Sequence, residues 1–455
     1  MKFNIKQIQW SKKWLFTLVL APLIVLLSFL LFIYVNTGPR KISLLNTNSK
    51  VVIKKTNGNY SFYKNGQPFQ VKGGAGNEYI KELVSCGGNT IFCWDTSKLN
   101  STLKEAEKYH VNVIIGLDMP SYDTPGFYTN QKNIDTLVMK YYSVCMRYKD
   151  NPSVLAWCLG NELTMPFSFT QTPFYKCYNS ILSMLHKNDP DHPVSTSLIN
   201  VPKRNLINMQ WRIPALDFLC FNSYSSIKTF QHDLKRIDWI CDKPYLISEW
   251  APNGGWEADM TSWAAPIENT STKKAEQFYD FYKNFMPVKD SRFLGSLAFY
   301  WGNRQEYTNT WYSIFDENGI PTEVKEVLND CWKNTSTNHN APKLKYMLID
   351  SLGAKENIIV SAGSNHRASL LLEEGYTGSS VTYVWQIVKD DWMTWGRTWD
   401  NFKKPLKENG LFIDSSLQFP NFTAPLKEGP YRVFITVYNS KGYCATANTP
   451  IYVVE

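Results

Sequence analysis

The chain has 455 residues, 44% hydrophobic and 15% aromatic, which is enough to fill a large core and more than one ordinary domain requires. Its net charge of +8 is no nucleic-acid signature: residues 1–41 hold six of the 48 lysines and arginines and none of the 40 acids, leaving 42 against 40 for the rest and no basic groove. Nine cysteines without a CxxC pair read as buried free thiols, with room for one or two bridges at most, and six histidines show no HxxxH spacing, so neither a metal nor a cofactor is expected.

In chain order the first feature is Trp14–Val35, 22 residues without a charge, about 33 Å long as a helix and able to span a bilayer. Pro22 is tolerable inside such a helix. Lys2, Lys6, Lys12 and Lys13 precede the run, which places the N-terminus in the cytoplasm and everything after residue 36 outside. A cleaved signal peptide is the weaker alternative, because the run is long and no small-x-small site follows in Val35–Pro39. Residues 1–41 are thus expected to form a basic flank and a single-pass anchor.

Residues 42–59 read as a linker, and Tyr60–Val71 as a hairpin turning at Asn65-Gly66. Eight short apolar runs follow: Phe69–Lys72, Thr90–Trp94, Val113–Met119, Val154–Gly160, Pro193–Leu198, Leu216–Asn222, Tyr245–Ser248 and Ser296–Trp301. Segments of helical periodicity separate them, such as Ile134, Leu137, Tyr141, Val144 and Tyr148. Strands alternating with helices, without a Gly-rich phosphate turn, predict a (β/α)8 TIM barrel over residues 60–335. A polar connector at 336–342 leads into residues 343–455, whose alternating β-type runs predict an antiparallel, immunoglobulin-like β-sandwich with Trp385 between its sheets.

In such a barrel the C-terminal ends of the strands form the active face. Glu162 ends the fourth apolar run and Glu249 the seventh, where an acid is costly to bury without a reason. A pair of this kind suits a glycosidase that retains anomeric configuration, with one carboxyl as acid/base and the other as nucleophile, about 5–5.5 Å apart. Asp118, past the third strand, is a candidate for binding a sugar hydroxyl or for capping its loop. Trp94 and Trp250, at strand ends, are candidates for stacking on sugar rings, with core packing as the default.

The string Tyr148-Lys-Asp-Asn-Pro-Ser-Val-Leu-Ala-Trp-Cys-Leu-Gly-Asn-Glu162 resembles the acid/base segment of clan A glycoside hydrolases, especially the family 2 barrel, and Lys243-Pro-Tyr-Leu-Ile-Ser-Glu-Trp250 resembles their nucleophile strand. The resemblance covers roughly residues 60–333. It implies Glu162 as acid/base, Glu249 as nucleophile and Asn161 as the partner of the substrate 2-hydroxyl. Asp217-Phe-Leu-Cys-Phe-Asn-Ser-Tyr224 is similar to the sixth strand, which would put Asn222 among the substrate-binding residues and Tyr224 near Glu249. Leu297-Ala-Phe-Tyr-Trp-Gly302 is similar to the eighth, with Trp301 as the floor of the sugar subsite. In one departure, Phe92 stands where many relatives carry an arginine that supports the nucleophile carboxylate.

The expected function is that of a membrane-anchored retaining β-glycoside hydrolase acting outside the cytoplasm on a β-linked polysaccharide or oligosaccharide. A glucan-remodelling transglycosylase would use the same two glutamates, and a non-catalytic carbohydrate-binding or scaffold protein is the rival from another class. The expected partners are a carbohydrate substrate and the membrane, and not nucleic acid; nothing in the sequence points to a protein partner.

Overall fold

The computed structural model describes residues 12–37, with side chains for 19–31, and residues 50–168, 172–373, 380–390 and 405–455. Lys12–Thr37 is one helix, α1. Of its described side chains, Val19, Leu23, Ile24, Val25, Leu26, Leu27, Phe29, Leu30 and Leu31 are exposed. The basic flank before Lys12, and 38–49 of the expected tether, lie outside the described residues. Among the described residues no helix is long and apolar enough to cross a membrane, the stretch 19–31 being shorter than a bilayer span.

Residues 51–69 fold into a three-stranded sheet of β1 (Val51–Thr56), β2 (Asn59–Lys64) and β3 (Gln67–Phe69). The hairpin between β2 and β3 turns at Asn65 (φ 51°) and Gly66 (φ 79°), the two positive values that a tight primed turn demands. Strand β1 lies in the segment expected to be a linker; Val51, Val52 and Ile53 are buried, and Asn57-Gly58 makes a second turn of the same kind. This sheet closes the bottom of the barrel. The Val51 N–H donates to the Asp191 carbonyl (3.1 Å) and the Tyr60 N–H to the Ser291 carbonyl (2.6 Å), while Phe62 packs edge-on against Phe218, with ring centroids 5.5 Å apart. All three partners precede barrel strands.

The barrel is closed by eight parallel strands, β4 (Val71–Ala75), β5 (Thr90–Cys93), β6 (Asn112–Leu117), β7 (Val154–Asn161), β8 (Val194–Ile199), β9 (Leu219–Asn222), β10 (Tyr245–Trp250) and β11 (Phe293–Phe299). Its outer layer comprises α2 (Ile80–Ser85), α3 (Leu99–Lys108), α4 (Gln131–Tyr148), α5 (Pro173–Asn188), α6 (Lys203–Arg212), α7 (Ile227–Lys235), α8 (Ser271–Asp280) and α9 (Glu323–Lys333). This is the (β/α)8 architecture. Four of the strands are buried along their whole length and the others at all but one residue, which is why they read as apolar runs. The first strand sits later than expected because it continues through Gly73-Gly74. A Cβ on Gly74 would lie 2.3 Å from the Cβ of Trp301, so no larger residue fits there.

The C-terminal region forms two sheets, β12-β14-β17 and β13-β19-β18-β15-β16, from β12 (Leu344–Ile349), β13 (Ile359–Ser361), β14 (Asn365–Leu372), β15 (Val381–Lys389), β16 (Lys407–Glu408), β17 (Asn421–Thr423), β18 (Gly429–Asn439) and β19 (Cys444–Val454). Side chains from both sheets, among them Ile349, Leu370, Trp385, Phe422, Val433 and Ile451, share one apolar core. The expectation of a wholly antiparallel sandwich needs one correction, since β13 pairs with β19 in parallel. All nine cysteines are buried and unbridged.

Candidate active site

Glu162 sits one residue past β7, and the chain reaches it through a left-handed turn. Gly160 has φ 82° and Glu162 itself φ 52°, a conformation that costs a non-glycine residue about 1 kcal/mol or more. The β7–β8 pairing shifts register between Cys158 and Asn161, and the Glu162 N–H donates to the Ser197 carbonyl at 3.0 Å. Strand β10 carries a matching irregularity: Ile247 faces Phe221 and Glu249 faces Asn222, so Ser248 is an extra residue. A bulge of this sort re-aims side chains at a barrel rim. Here Ser248 is turned towards Asn222 on β9 and Glu249 towards Tyr224 just past it.

Asn222 joins the two strands. Its Nδ2 donates to Glu162 Oε1 at 2.9 Å and to Asn161 Oδ1 at 3.1 Å. Its Oδ1 accepts from Ser197 Oγ at 2.8 Å and Ser248 Oγ at 2.7 Å. That uses all of the amide's hydrogen-bonding capacity. Two positions on, Tyr224 donates its phenol to Glu249 Oε2 at 3.0 Å, and the Ser223 N–H fixes the Glu249 carbonyl at 2.8 Å.

The electrostatics follow from this geometry. Burial pushes the Glu162 carboxyl above the ordinary range, helped by the charge of Glu306 and opposed by the Asn222 amide. Glu249, only 5% exposed, is driven well up by burial and then by the neighbouring Glu162, with Arg304 and the Tyr224 phenol acting in the opposite direction. The charge of Glu162 thus disfavours ionisation of Glu249, as like charges do. Arg304 and Tyr224 favour leaving the negative charge on Glu249.

Arg304 and Glu306 escape a reading of the sequence. Both lie in the loop after β11, where Arg304 Nε donates to Glu306 Oε2 at 2.5 Å. The guanidinium lies 5.5 Å from the ring centre of Phe299 and 5.6 Å from that of Tyr300. Phe92 is core, its ring stacked 3.7 Å from that of Trp94, and the positive charge that acts on Glu249 comes from Arg304 in this loop. The one available signal was position, as these are the first charged residues past the eighth strand.

Three expected ligand-binding residues are corrected by where they lie. Trp301 is fully buried, donating its indole N–H to the Tyr79 carbonyl (3.3 Å) and packing on Phe315 and Trp332, so it cannot floor a sugar subsite. Trp250 is fully buried against Phe278 and Tyr282, on the helix side of its strand. Asn222, with 0% exposure, holds protein groups and offers substrate nothing. Trp94 is half-buried at the end of β5, over Gly116. Asp118 is exposed past β6, and its carbonyl accepts from Tyr141. Asn161 is half-buried beside Glu162. Among the described residues no group of three or more His, Cys, Asp or Glu is placed to hold a metal ion.

No protein-family model matches the chain, and no curated protein does so either. Among solved structures it is similar to the endo-β-1,4-mannanase of Thermotoga petrophila, with 13% identity and a TM-score of 0.42 over 86% of this chain and 99% of that one. It is also similar to the β-glucuronidase of Bifidobacterium dentium, with 15% identity and a TM-score of 0.48 over 64% of this chain and 50% of that one. The β-glucuronidase of Ruminococcus gnavus gives 14% and 0.46 over 62% and 53%. The chain spans about half the length of the two glucuronidases. At these identities and scores the likeness carries no argument about activity.

Proposed function

We propose that this protein is a retaining β-glycosidase in which Glu249 attacks the anomeric carbon while Glu162 protonates the departing oxygen, after which Glu162 activates the incoming water. The observation that carries the reading is the joining of the two glutamates at one rim: Asn222 binds Glu162 and lies opposite Glu249 in register, and Tyr224 binds Glu249. The roles need one acid and one anion in the first step, and the raised carboxyl of Glu162 suits the acid. To Asn161, beside Glu162, we assign the contact with the substrate 2-hydroxyl.

The substrate is a β-linked polysaccharide or oligosaccharide met outside the cytoplasm, with the chain anchored by Trp14–Val35. That location rests on the apolar run and its lysine flank.

Purified full-length protein should release sugar from at least one member of a panel of β-glycans, and Glu162→Gln and Glu249→Gln should each lower the rate by about 10³-fold. A fluorinated glycoside should label the peptide containing Glu249. Equal product from wild type and both variants, or a label elsewhere, overturns the respective assignment. Protease digestion of intact cells tests the location: a barrel protected from external protease contradicts the anchor.

A further inference from the structure

We propose that the C-terminal sandwich belongs to the catalytic apparatus, because its Asn448, acting through Glu268, fixes the loop that holds Arg304 over Phe299, whose ring packs 6.0 Å from that of Tyr224, the donor to Glu249. This rests on reading Glu249 as the nucleophile.

The path is continuous. The Arg304 N–H donates to Ser313 Oγ at 2.9 Å, and its guanidinium is tied to Glu306. Glu306 and Thr308 exchange both backbone hydrogen bonds (3.0 and 2.8 Å) around Tyr307, whose φ is 61°. Thr308 Oγ1 then donates to Glu268 Oε2 at 2.6 Å, and Thr310 Oγ1 to Glu268 Oε1 at 2.8 Å. From the sandwich, Asn448 Nδ2 on β19 donates to Glu268 Oε2 at 2.6 Å. Asn448 Oδ1 accepts from Arg432 Nη1 at 2.8 Å, and Arg432 is anchored in turn on Asp390 (3.0 Å) and on the Pro266 carbonyl (2.9 Å) of the barrel.

Thr308, Glu268, Asn448, Arg432 and Asp390 are all buried. Out of water, each bond is stronger and each unmade bond more costly, so the relay sets one loop geometry rather than several. Arg304 needs such help, because its own long side chain has many rotamers to lose. The groups that act on Glu249 are Glu162, Glu306, Arg304 and Tyr224, and the buried Cys158 thiol senses it in turn. Only Arg304 among these carries positive charge, so a loosened loop removes the contribution that most favours the Glu249 anion. Asn448, Glu268 and Thr308 are therefore positioning residues.

The test compares full-length wild type with Asn448→Leu, Thr308→Val and the conservative Thr308→Ser. The titration of Glu249 is followed by carbon NMR in protein labelled at the glutamate carboxyl, its resonance assigned by loss in Glu249→Gln, and thermal melting is recorded in parallel. Asn448→Leu and Thr308→Val should raise the Glu249 titration midpoint by up to about 1 pH unit, while Thr308→Ser stays with wild type. Where a substrate is in hand, the acidic limb of the kcat profile should move up by the same amount with KM little changed. Variants that melt earlier but titrate as wild type overturn the proposal, and so does a downward shift. The NMR readout needs no turnover, so an absence of glycosidase activity would refute the functional reading without touching the positioning claim.

Discussion

Asn222 lies directly opposite Glu249 in the β9–β10 register while giving its amide to Glu162, so one buried side chain spans the two proposed catalytic strands. Replacing it with alanine should act twice. Glu162 loses its only described amide donor and drifts, which should lower kcat by about 100-fold. The Ser197 and Ser248 hydroxyls also lose their acceptor, costing about 1–3 kcal/mol in denaturant unfolding. Normal kcat in a protein of lowered stability would show that Glu162 is oriented by its turn alone.

Glu306 repels both glutamates and shares Arg304 with Glu249. In Glu306→Gln the repulsion disappears and the anions are easier to form, so both carboxyls should titrate lower. The proposed acid Glu162 then gives up its proton earlier. The basic limb of the kcat profile should accordingly move to lower pH, and a move to higher pH would contradict the arrangement.

Trp301→Phe separates packing from binding. A buried indole wedged over Gly74 and against Trp332 supports the fold, so the variant should lose about 1–3 kcal/mol in stability. KM should stay within about twofold, since the ring meets no substrate. A large rise in KM without loss of stability would restore the sugar-floor role.

Glu268 and Lys274 form a buried ion pair at 2.5 Å beneath the sandwich. Lys274→Met leaves the carboxylate without its cation and should cost about 3–5 kcal/mol, measured by urea denaturation. The double variant Lys274→Met with Glu268→Gln should recover much of that loss. Additive losses would argue against the pairing.

His339, in the connector between barrel and sandwich, has its pKa raised above the ordinary 6.5 mainly by its hydrogen bond to Glu323 (2.8 Å). A raised value means that the folded state favours the protonated ring. The stabilisation is therefore complete below 6.5 and is lost as pH rises through the higher folded value. The melting temperatures of wild type and His339→Gln should converge across that window. A gap that stays constant with pH would rule out a charged imidazole.

The barrel was legible because seven of its strands are buried on both faces and write themselves as apolar runs. The first was displaced because Gly73-Gly74 carries no apolar signal, although the Thr90 backbone demands the first glycine and Trp301 the second. Strand β1 was hidden in a polar tether, with only Val51-Val52-Ile53 to mark it. Glu162 and Glu249 stood out because each closes an apolar run. Position past a strand end did not reveal which way an indole turns, and so Trp250 and Trp301 were misread. Arg304, Glu306 and the link from Asn448 to Glu268 depend on closure between segments distant in sequence, which no local pattern records.

The small sheet of β1 to β3 plugs the end of the barrel opposite Glu162 and Glu249. Whatever grips the polypeptide ahead of Val51 therefore holds the molecule by its floor. The open mouth, with both glutamates, lies at the far end and is left clear of any such attachment.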